Sequence, residues 1–275
     1  MAQVTNVKEP AHAYGARPAL GSPKGITMPN SADFCFPPGE PIIVTGAGSG
    51  IGRATARRAA QLGLRVAAWD LRSDGLPSLA DEVTAEGGQI MTFVGDVADD
   101  DAVTSGFAAV ADRFGPAAFL VNNAGPASSA PLDFDEAVRI SVGGVRRMTE
   151  AWLAEGVPPH AAMVVTTSVA GNRVGTESDW YSAAKAALMG YVRHLAAQRG
   201  CQLRANGVAP GMTDTPRLTG FVESETGQRI LARIPLGRMA TADDIAYATL
   251  FLLSPLASYI NGVFLPVDGG WTVTQ

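Results

Sequence analysis

Pro41-Ile42-Ile43-Val44-Thr45-Gly46-Ala47-Gly48-Ser49-Gly50-Ile51-Gly52 is the stretch on which the fold turns. Its first five residues are an apolar run bounded by glycine, the mark of a buried parallel strand. The residues after it, 53–62, read as a helix. A Gly-rich turn from strand to helix aims backbone N–H groups and a helix N-terminus at a phosphate. The fingerprint GxGxxG does not fit, because Gly46 and Gly48 would need a glycine where Ile51 stands. The spacing that fits is Thr45-Gly46-x-x-x-Gly50-x-Gly52. A plain tight loop is the alternative, and the strand before and helix after argue against it.

Outward from this turn, strands and helices alternate. Residues 64–69 read as a second strand ending at Asp70, eighteen residues beyond Gly52. A carboxylate there accepts hydrogen bonds from both ribose hydroxyls of a dinucleotide and repels a 2′-phosphate, which favours NAD over NADP. Arg53 and Arg72 stand near enough to soften that preference, and a capping or loop acid is the plainer reading of Asp70. Further strands are expected at 90–94, closing in Gly95-Asp96-Val97, and at 118–121, closing in Asn122-Asn123-Ala124-Gly125. The others lie at 162–167, leading to Ser168, at 204–209, closing in Pro210-Gly211, and at 262–267, before Asp268-Gly269-Gly270. Helices are expected at 100–114, at 133–155 as one long element, from Tyr181 to about residue 200, and at 242–253. This rhythm predicts an α/β fold, a doubly wound parallel sheet of Rossmann type with about seven strands and helices on both faces, in one domain over 40–275. Ligands bind beyond the carboxyl ends of such strands, where nearly every notable polar motif falls. Residues 212–237 are positioned as a lid over a substrate. Residues 1–39, rich in proline and glycine, read as an extension outside the domain.

Composition bounds the function. Of 275 residues, 47% are hydrophobic and 17% charged, with a net charge of −5. No basic stripe is present, which argues against a nucleic-acid surface. The two cysteines, Cys35 and Cys201, are far apart, so a reducing compartment is the simpler setting. His12, His160 and His194 form no metal-ligating pattern. No apolar run reaches the roughly 18 residues of a membrane span, and no signal-peptide core is visible, so a cytoplasmic protein is expected.

The chemistry is expected at Trp180-Tyr181-Ser182-Ala183-Ala184-Lys185. At i and i+4 of a helix, the phenol and the ammonium share a face. The neighbouring cation is expected to lower the phenol from its ordinary value of about 10. Such pairs also arise by chance, so the surroundings decide.

Together these motifs resemble the short-chain dehydrogenase/reductase family, in its branch of soluble single-domain oxidoreductases. Thr45-Gly46-x-x-x-Gly50-x-Gly52, Asp96-Val97, Asn122-Asn123-Ala124-Gly125, Ser168, Tyr181-x-x-x-Lys185, Pro210-Gly211 and Asp268-Gly269-Gly270 run in the family's order over about residues 41–272. The resemblance implies that Gly46, Ser49, Gly50, Ile51 and Gly52 cradle a pyrophosphate and that Asp70 holds the adenosine ribose. It implies Asp96 and Val97 at the adenine, and Asn123, Ala124 and Gly125 along the cofactor cleft. Pro210, Gly211, Thr213 and Thr215 are implied to hold the nicotinamide. Lys185 and Tyr181 would meet the nicotinamide ribose as well as act in catalysis with Ser168. Thr167 is the neighbour that a misregister would select. The implied reaction is hydride exchange between NAD(H) and a secondary alcohol or ketone, with Tyr181 moving the proton and Ser168 stabilising the oxyanion.

One departure stands out. Ser141 occupies the position where the family usually has asparagine, a residue that helps hold a proton-relay water. Activity is expected to survive. The alternatives are a silent NAD-binding regulatory or scaffold protein, or an epimerase or lyase of the same fold. The substrate pocket is expected along Pro126, Ala127, Ser128, residues 170–175 and the lid, with Arg173 as a solvated loop residue or an anion contact. By resemblance, the helices at 133–155 and 181–200 form a dimer seam and the C-terminal segment a tetramer. The face of Leu188, Tyr191, Val192 and Leu195 suits that seam or the monomer core equally.

Overall fold

The structure is a computed structural model and describes residues 34–172 and 176–274. Most of the N-terminal extension, and residues 173–175 of the expected pocket wall with Arg173, lie outside the described residues.

Pro41–Thr45 forms β1, every residue of it buried. Gly46 and Gly50 then adopt φ of 68° and 52°, a region open to glycine without strain. This lets the chain turn directly into α1, Gly50–Gln61. There follow β2 (Arg65–Asp70), α2 (Leu76–Ala85), β3 (Gln89–Val94), α3 (Asp100–Phe114) and β4 (Phe119–Asn122). Next come α4 (Phe134–Val138), α5 (Gly144–Ala154), β5 (Ala162–Thr166), α6 (Asp179–Gln198) and β6 (Arg204–Pro210). The chain ends with β7 (Thr213–Asp214), α7 (Glu225–Leu231), β8 (Ala240–Thr241), α8 (Ala242–Leu253) and β9 (Phe264–Val267).

Seven strands form one parallel sheet in the order β3-β2-β1-β4-β5-β6-β9. The order reverses between β1 and β4, the position at which such sheets open a ligand crevice. Alternate side chains feed two cores. Ile42, Val44, Val66 and Val164 pack with Ala56 of α1, Leu79 of α2 and Leu250 of α8. Ile43, Trp69, Leu120 and Val165 pack with Phe107 of α3, Trp152 of α5 and Leu188 of α6. Leu188, Val192 and Leu195 are thus core residues of this chain. Phe36, read above as part of the extension, is buried with its ring edge-on to Phe119 at 5.2 Å.

Three elements differ from the sequence reading. The single helix expected over 133–155 is broken by a π-helical turn, Arg139–Gly143, between α4 and α5. Gly143 and Gly144 weaken the α-helix there, and a repeat near 3.6 carries no signal for a wider turn. Ser141 lies buried in that turn. Second, α2 had no counterpart in the sequence reading. Third, the irregular stretch 212–237 has the helical middle expected of it, α7, but adds a strand pair, β7 with β8, and Ile230, Leu231 and Ile234 pack with Val169, Met189, Ala209 and Trp271.

Candidate active site

The Gly-rich turn is held from behind. The buried Thr45 hydroxyl donates to the Val121 carbonyl at 3.1 Å and accepts from the Asn123 and Ala124 N–H groups, both at 3.0 Å. The Asn123 amide in turn donates to the Thr45 carbonyl at 3.1 Å and the Gly46 carbonyl at 3.4 Å. Asn123 therefore spends its side chain fixing the turn. A Cβ on Gly52 would lie 2.0 Å from the Gly46 carbonyl oxygen, so α1 can start this close only at a glycine.

Whether a dinucleotide fits can be judged from α1. Its N-cap, Ser49, makes no side-chain capping bond, and its first turn carries no acid. By contrast, α3, α6 and α8 start under capping bonds from Asp99, Ser178 and Thr241. The free N–H groups and positive end of α1 suit a phosphate. Beside them lies a cavity of about 260 Å³ lined by Gly48, Ser49, Asp70, Arg72, Asp74 and Gly75. The Asp70 carboxylate, at the end of β2, accepts from the Gly48 N–H at 2.9 Å and the Arg72 N–H at 3.0 Å. Asp74 is a second acid on this wall that the sequence reading did not single out. Arg53, expected to soften the acid's preference, points elsewhere: it binds Glu82 at 2.9 Å and the Gly75 carbonyl at 2.8 Å. Asp96 is turned in on its own loop, accepting from the Ala98 N–H at 2.8 Å, and Val97 packs into the core.

The candidate catalytic residues lie past the carboxyl end of β5. Thr167 is turned away from Tyr181, its hydroxyl donating to the Val208 carbonyl at 2.6 Å. The Ser168 hydroxyl accepts from the Ala170 N–H at 3.1 Å and hydrogen-bonds to the Tyr181 phenol. Gly171 makes this possible: a Cβ there would lie 2.6 Å from the Lys185 carbonyl carbon and 2.7 Å from the Ala186 nitrogen. Among the described residues, its absence of side chain lets the Ser168 loop press against α6. Tyr181 sits in the first turn of α6, its ring edge-on to the buried Trp180 at 5.7 Å. Lys185 Nζ donates to the Thr166 carbonyl at 2.8 Å and lies 5.5 Å from the Tyr181 ring centroid.

The electrostatics correct one expectation. The phenol of Tyr181 is raised above its ordinary 10, not lowered. Burial disfavours the phenolate most, while the Ser168 hydrogen bond and the charge of Arg217 act the other way. Lys185 lies by the ring with its ammonium committed to Thr166, and the cation that acts on the phenol is Arg217 instead. Lys185 itself is pushed down to about 8 by burial and then by Arg217.

Arg217 also escaped the sequence reading. It lies in a short 3-10 turn, Pro216–Leu218, and its guanidinium donates to the Gly125 carbonyl at 2.7 Å. Thr215 rests on the Gly-rich turn, since a Cβ on Gly50 would lie 3.2 Å from its Cγ2. On the other side of β6, a Cβ on Gly211 would come within 2.8 Å of Asp268, so the Pro210-Gly211 turn packs against the Asp268 loop. Thr213 is buried, its hydroxyl donating to the Gly211 carbonyl at 3.1 Å. No helix among the described residues is long and apolar enough to cross a membrane.

Known proteins resemble this chain in sequence and fold. A family model described as enoyl-(acyl carrier protein) reductase matches residues 46–272. The 3-oxoacyl-[acyl-carrier-protein] reductase of Thermotoga maritima is 32% identical over 243 residues, covering 86% of this chain and 98% of that protein. The D-threitol dehydrogenase of Mycolicibacterium smegmatis is 34% identical over 252 residues, 88% of this chain and 97% of that one. A short-chain dehydrogenase from Burkholderia cenocepacia, solved in complex with NADP, superposes with a TM-score of 0.78 at 30% identity over 85% of this chain and 98% of its own. On motifs, fold and these matches, the chain belongs to the short-chain dehydrogenase/reductase family of oxidoreductases, which act on alcohol- and ketone-type substrates with a nucleotide cofactor.

Proposed function

We propose that this protein is an NAD(H)-dependent oxidoreductase interconverting a secondary alcohol and a ketone, with Tyr181 as the proton-transfer residue. The observation that carries the reading is the convergence of the Ser168 hydroxyl and Tyr181 phenol, with Lys185 beneath them, beside an uncapped helix N-terminus. NAD(H), when bound, accepts or supplies the hydride. The N–H groups of Ser49 to Gly52 hold its pyrophosphate, and Asp70 its adenosine ribose, with Asp96 and Val97 toward the adenine. Ala124 and Gly125 border the cleft, and Pro210, Gly211, Thr213 and Thr215 hold the nicotinamide end. Lys185 exchanges the Thr166 carbonyl for the nicotinamide ribose. Tyr181, held protonated at neutral pH by its burial, donates to the oxygen of a ketone as negative charge develops on it. Ser168 donates to the same oxygen and spreads that charge. In the reverse direction Tyr181 takes the alcohol proton.

Preference for NAD over NADP is supported by two carboxylates, Asp70 and Asp74, on the cavity beside the turn, and by the engagement of Arg53 with Glu82. A 2′-phosphate there would meet two carboxylates against the one guanidinium of Arg72, which lines the same cavity. A cytoplasmic homodimer or tetramer completes the reading, and the exposed Leu236, Leu256, Tyr259 and Val273 support it as apolar surface to cover.

The test is a panel of secondary alcohols and ketones run with NAD⁺/NADH and NADP⁺/NADPH in parallel. The expected result is turnover with the higher kcat/KM for the unphosphorylated cofactor. Tyr181→Phe is expected to lower kcat by about 10²–10⁴-fold, the range of general acid–base catalysis. A preference for NADP⁺ sinks the assignment of Asp70, and full activity in Tyr181→Phe sinks that of the proton donor.

A further inference from the structure

We propose that Arg217 anchors an anionic group on the substrate, so that the alcohol or ketone taken by this site carries a carboxylate or an equivalent oxyanion. The inference rests on reading Ser168, Tyr181 and Lys185 as the catalytic groups. Two contacts fix the segment that carries Arg217. Two residues before it, Thr215 touches the Gly-rich turn at Gly50, and Arg217 itself fastens to the Gly125 carbonyl at 2.7 Å. The segment thus spans from the phosphate turn to the loop beyond β4, and the charge of Arg217 is felt at both Tyr181 and Lys185.

That charge lacks a counter-ion. Among the described residues Arg217 makes no ion pair, a state it shares with Arg72, Arg146, Arg229 and others, and what sets it apart is its place beside Tyr181 and Lys185. The neighbouring Asp214 lines a different cavity, with Arg57 and Asp243. A backbone carbonyl takes one N–H of the guanidinium and leaves the rest of the fork free. A planar fork of donors matches a carboxylate in two parallel bonds. Arg217 and Lys185 together make the site locally positive in a chain of net charge −5, which draws an anionic ligand in preference to a neutral one. The cofactor's pyrophosphate is the other source of an oxyanion. It is assigned to the N-terminus of α1, whereas Arg217 is fastened to the Gly125 carbonyl, next in sequence to Pro126, Ala127 and Ser128 of the expected substrate pocket.

The experiment compares ketones in matched pairs, each a carboxylate and the primary carboxamide of the same skeleton, over a series of chain lengths. Binding to the enzyme–NADH complex is measured by calorimetry, and kcat/KM separately. The wild type is expected to favour the carboxylate at one or more lengths by on the order of ten- to a hundredfold. In Arg217→Leu the acid-to-amide ratio is expected to fall to about one, and in Arg217→Lys, which keeps the charge and loses the fork, to an intermediate value. The side chain is exposed, and a melting curve checks that each variant is folded. No carboxylate preference at any length, or a preference that survives in Arg217→Leu, overturns the inference. Weaker NADH binding in Arg217→Leu with the preference intact overturns it too, and assigns the guanidinium to the cofactor. Carboxylate-selective binding without turnover supports the anchor and sinks the oxidoreductase reading. Turnover without selectivity does the reverse.

Discussion

Lys185 is a half-buried ammonium with no carboxylate partner among the described residues. Its Nζ is satisfied by the Thr166 carbonyl, a neutral acceptor, so desolvation wins and the group is pushed down to about 8. Tyr181, under the same burial, is pushed up. Each shift favours the neutral form, which is what partial burial imposes on an acid and a base alike. Arg217 acts on both from one side and lowers both. Removing its charge in Arg217→Leu is therefore expected to raise both groups. The ascending limb of the pH–rate profile for alcohol oxidation, where the proton must leave, should move to higher pH. A limb at the wild-type position would show that the guanidinium does not reach the pair. This effect is independent of what the substrate carries.

At the scale of elements, the site depends on how closely two of them approach. The loop after β5 brings Ser168 to α6 only because Gly171 has no side chain where the backbone of Lys185 and Ala186 passes. Backbone atoms cannot rotate aside, so Gly171→Ala must push the loop off the helix and draw Ser168 away from Tyr181. Displacements of about 1 Å cost as much as 10²-fold in rate, so a fall in kcat of at least about tenfold is expected, together with a lower Tm. Unchanged kcat would mean that the loop adapts without moving Ser168. The π-turn of Arg139–Gly143 is a second such element. It buries Ser141 between α4 and α5, and Gly144 just after it lies against Val97, where a Cβ would be 3.1 Å from its Cγ2.

For the molecule as a whole, the first and last long helices of the sheet's one face are tied by charge. Arg58 of α1 binds Asp243 of α8 at 2.9 and 2.6 Å, Arg57 approaches at 3.4 Å, and the Arg58 guanidinium also lies over the Tyr247 ring at 5.2 Å. The tie joins residues 185 apart in sequence and steadies the helix that carries the phosphate turn. The Arg58 hydrogen bond holds the Asp243 carboxyl below its ordinary 3.8. A depressed acid stabilises the fold in full above its unfolded value, and the contribution is lost as pH falls through the lower native one. Asp243→Asn should thus melt below the wild type at neutral pH, with the gap closing below pH 3.8. A gap that stays constant into acid would assign the loss to packing rather than to charge.

The sequence by itself determined the layered α/β sheet, the strand–turn–helix at Thr45 to Gly52, and the order of the motifs through Ser168, Tyr181 and Lys185. These are legible because buried parallel strands are continuous apolar runs and a phosphate turn needs glycine at set spacings. Tertiary structure alone decided the break in the helix over 133–155, since glycines lower helix propensity without saying what replaces it. It also decided the partner of Arg53, the role of Asn123 as a brace for the turn, and the need for Gly171, each a contact with a distant element. Arg217 meets Gly125 across 92 residues, a separation at which spacing carries no signal. The direction in which Tyr181 shifts was hidden for the same reason. A neighbouring lysine is visible in sequence, whereas the solvent excluded around both groups is a property of the folded chain.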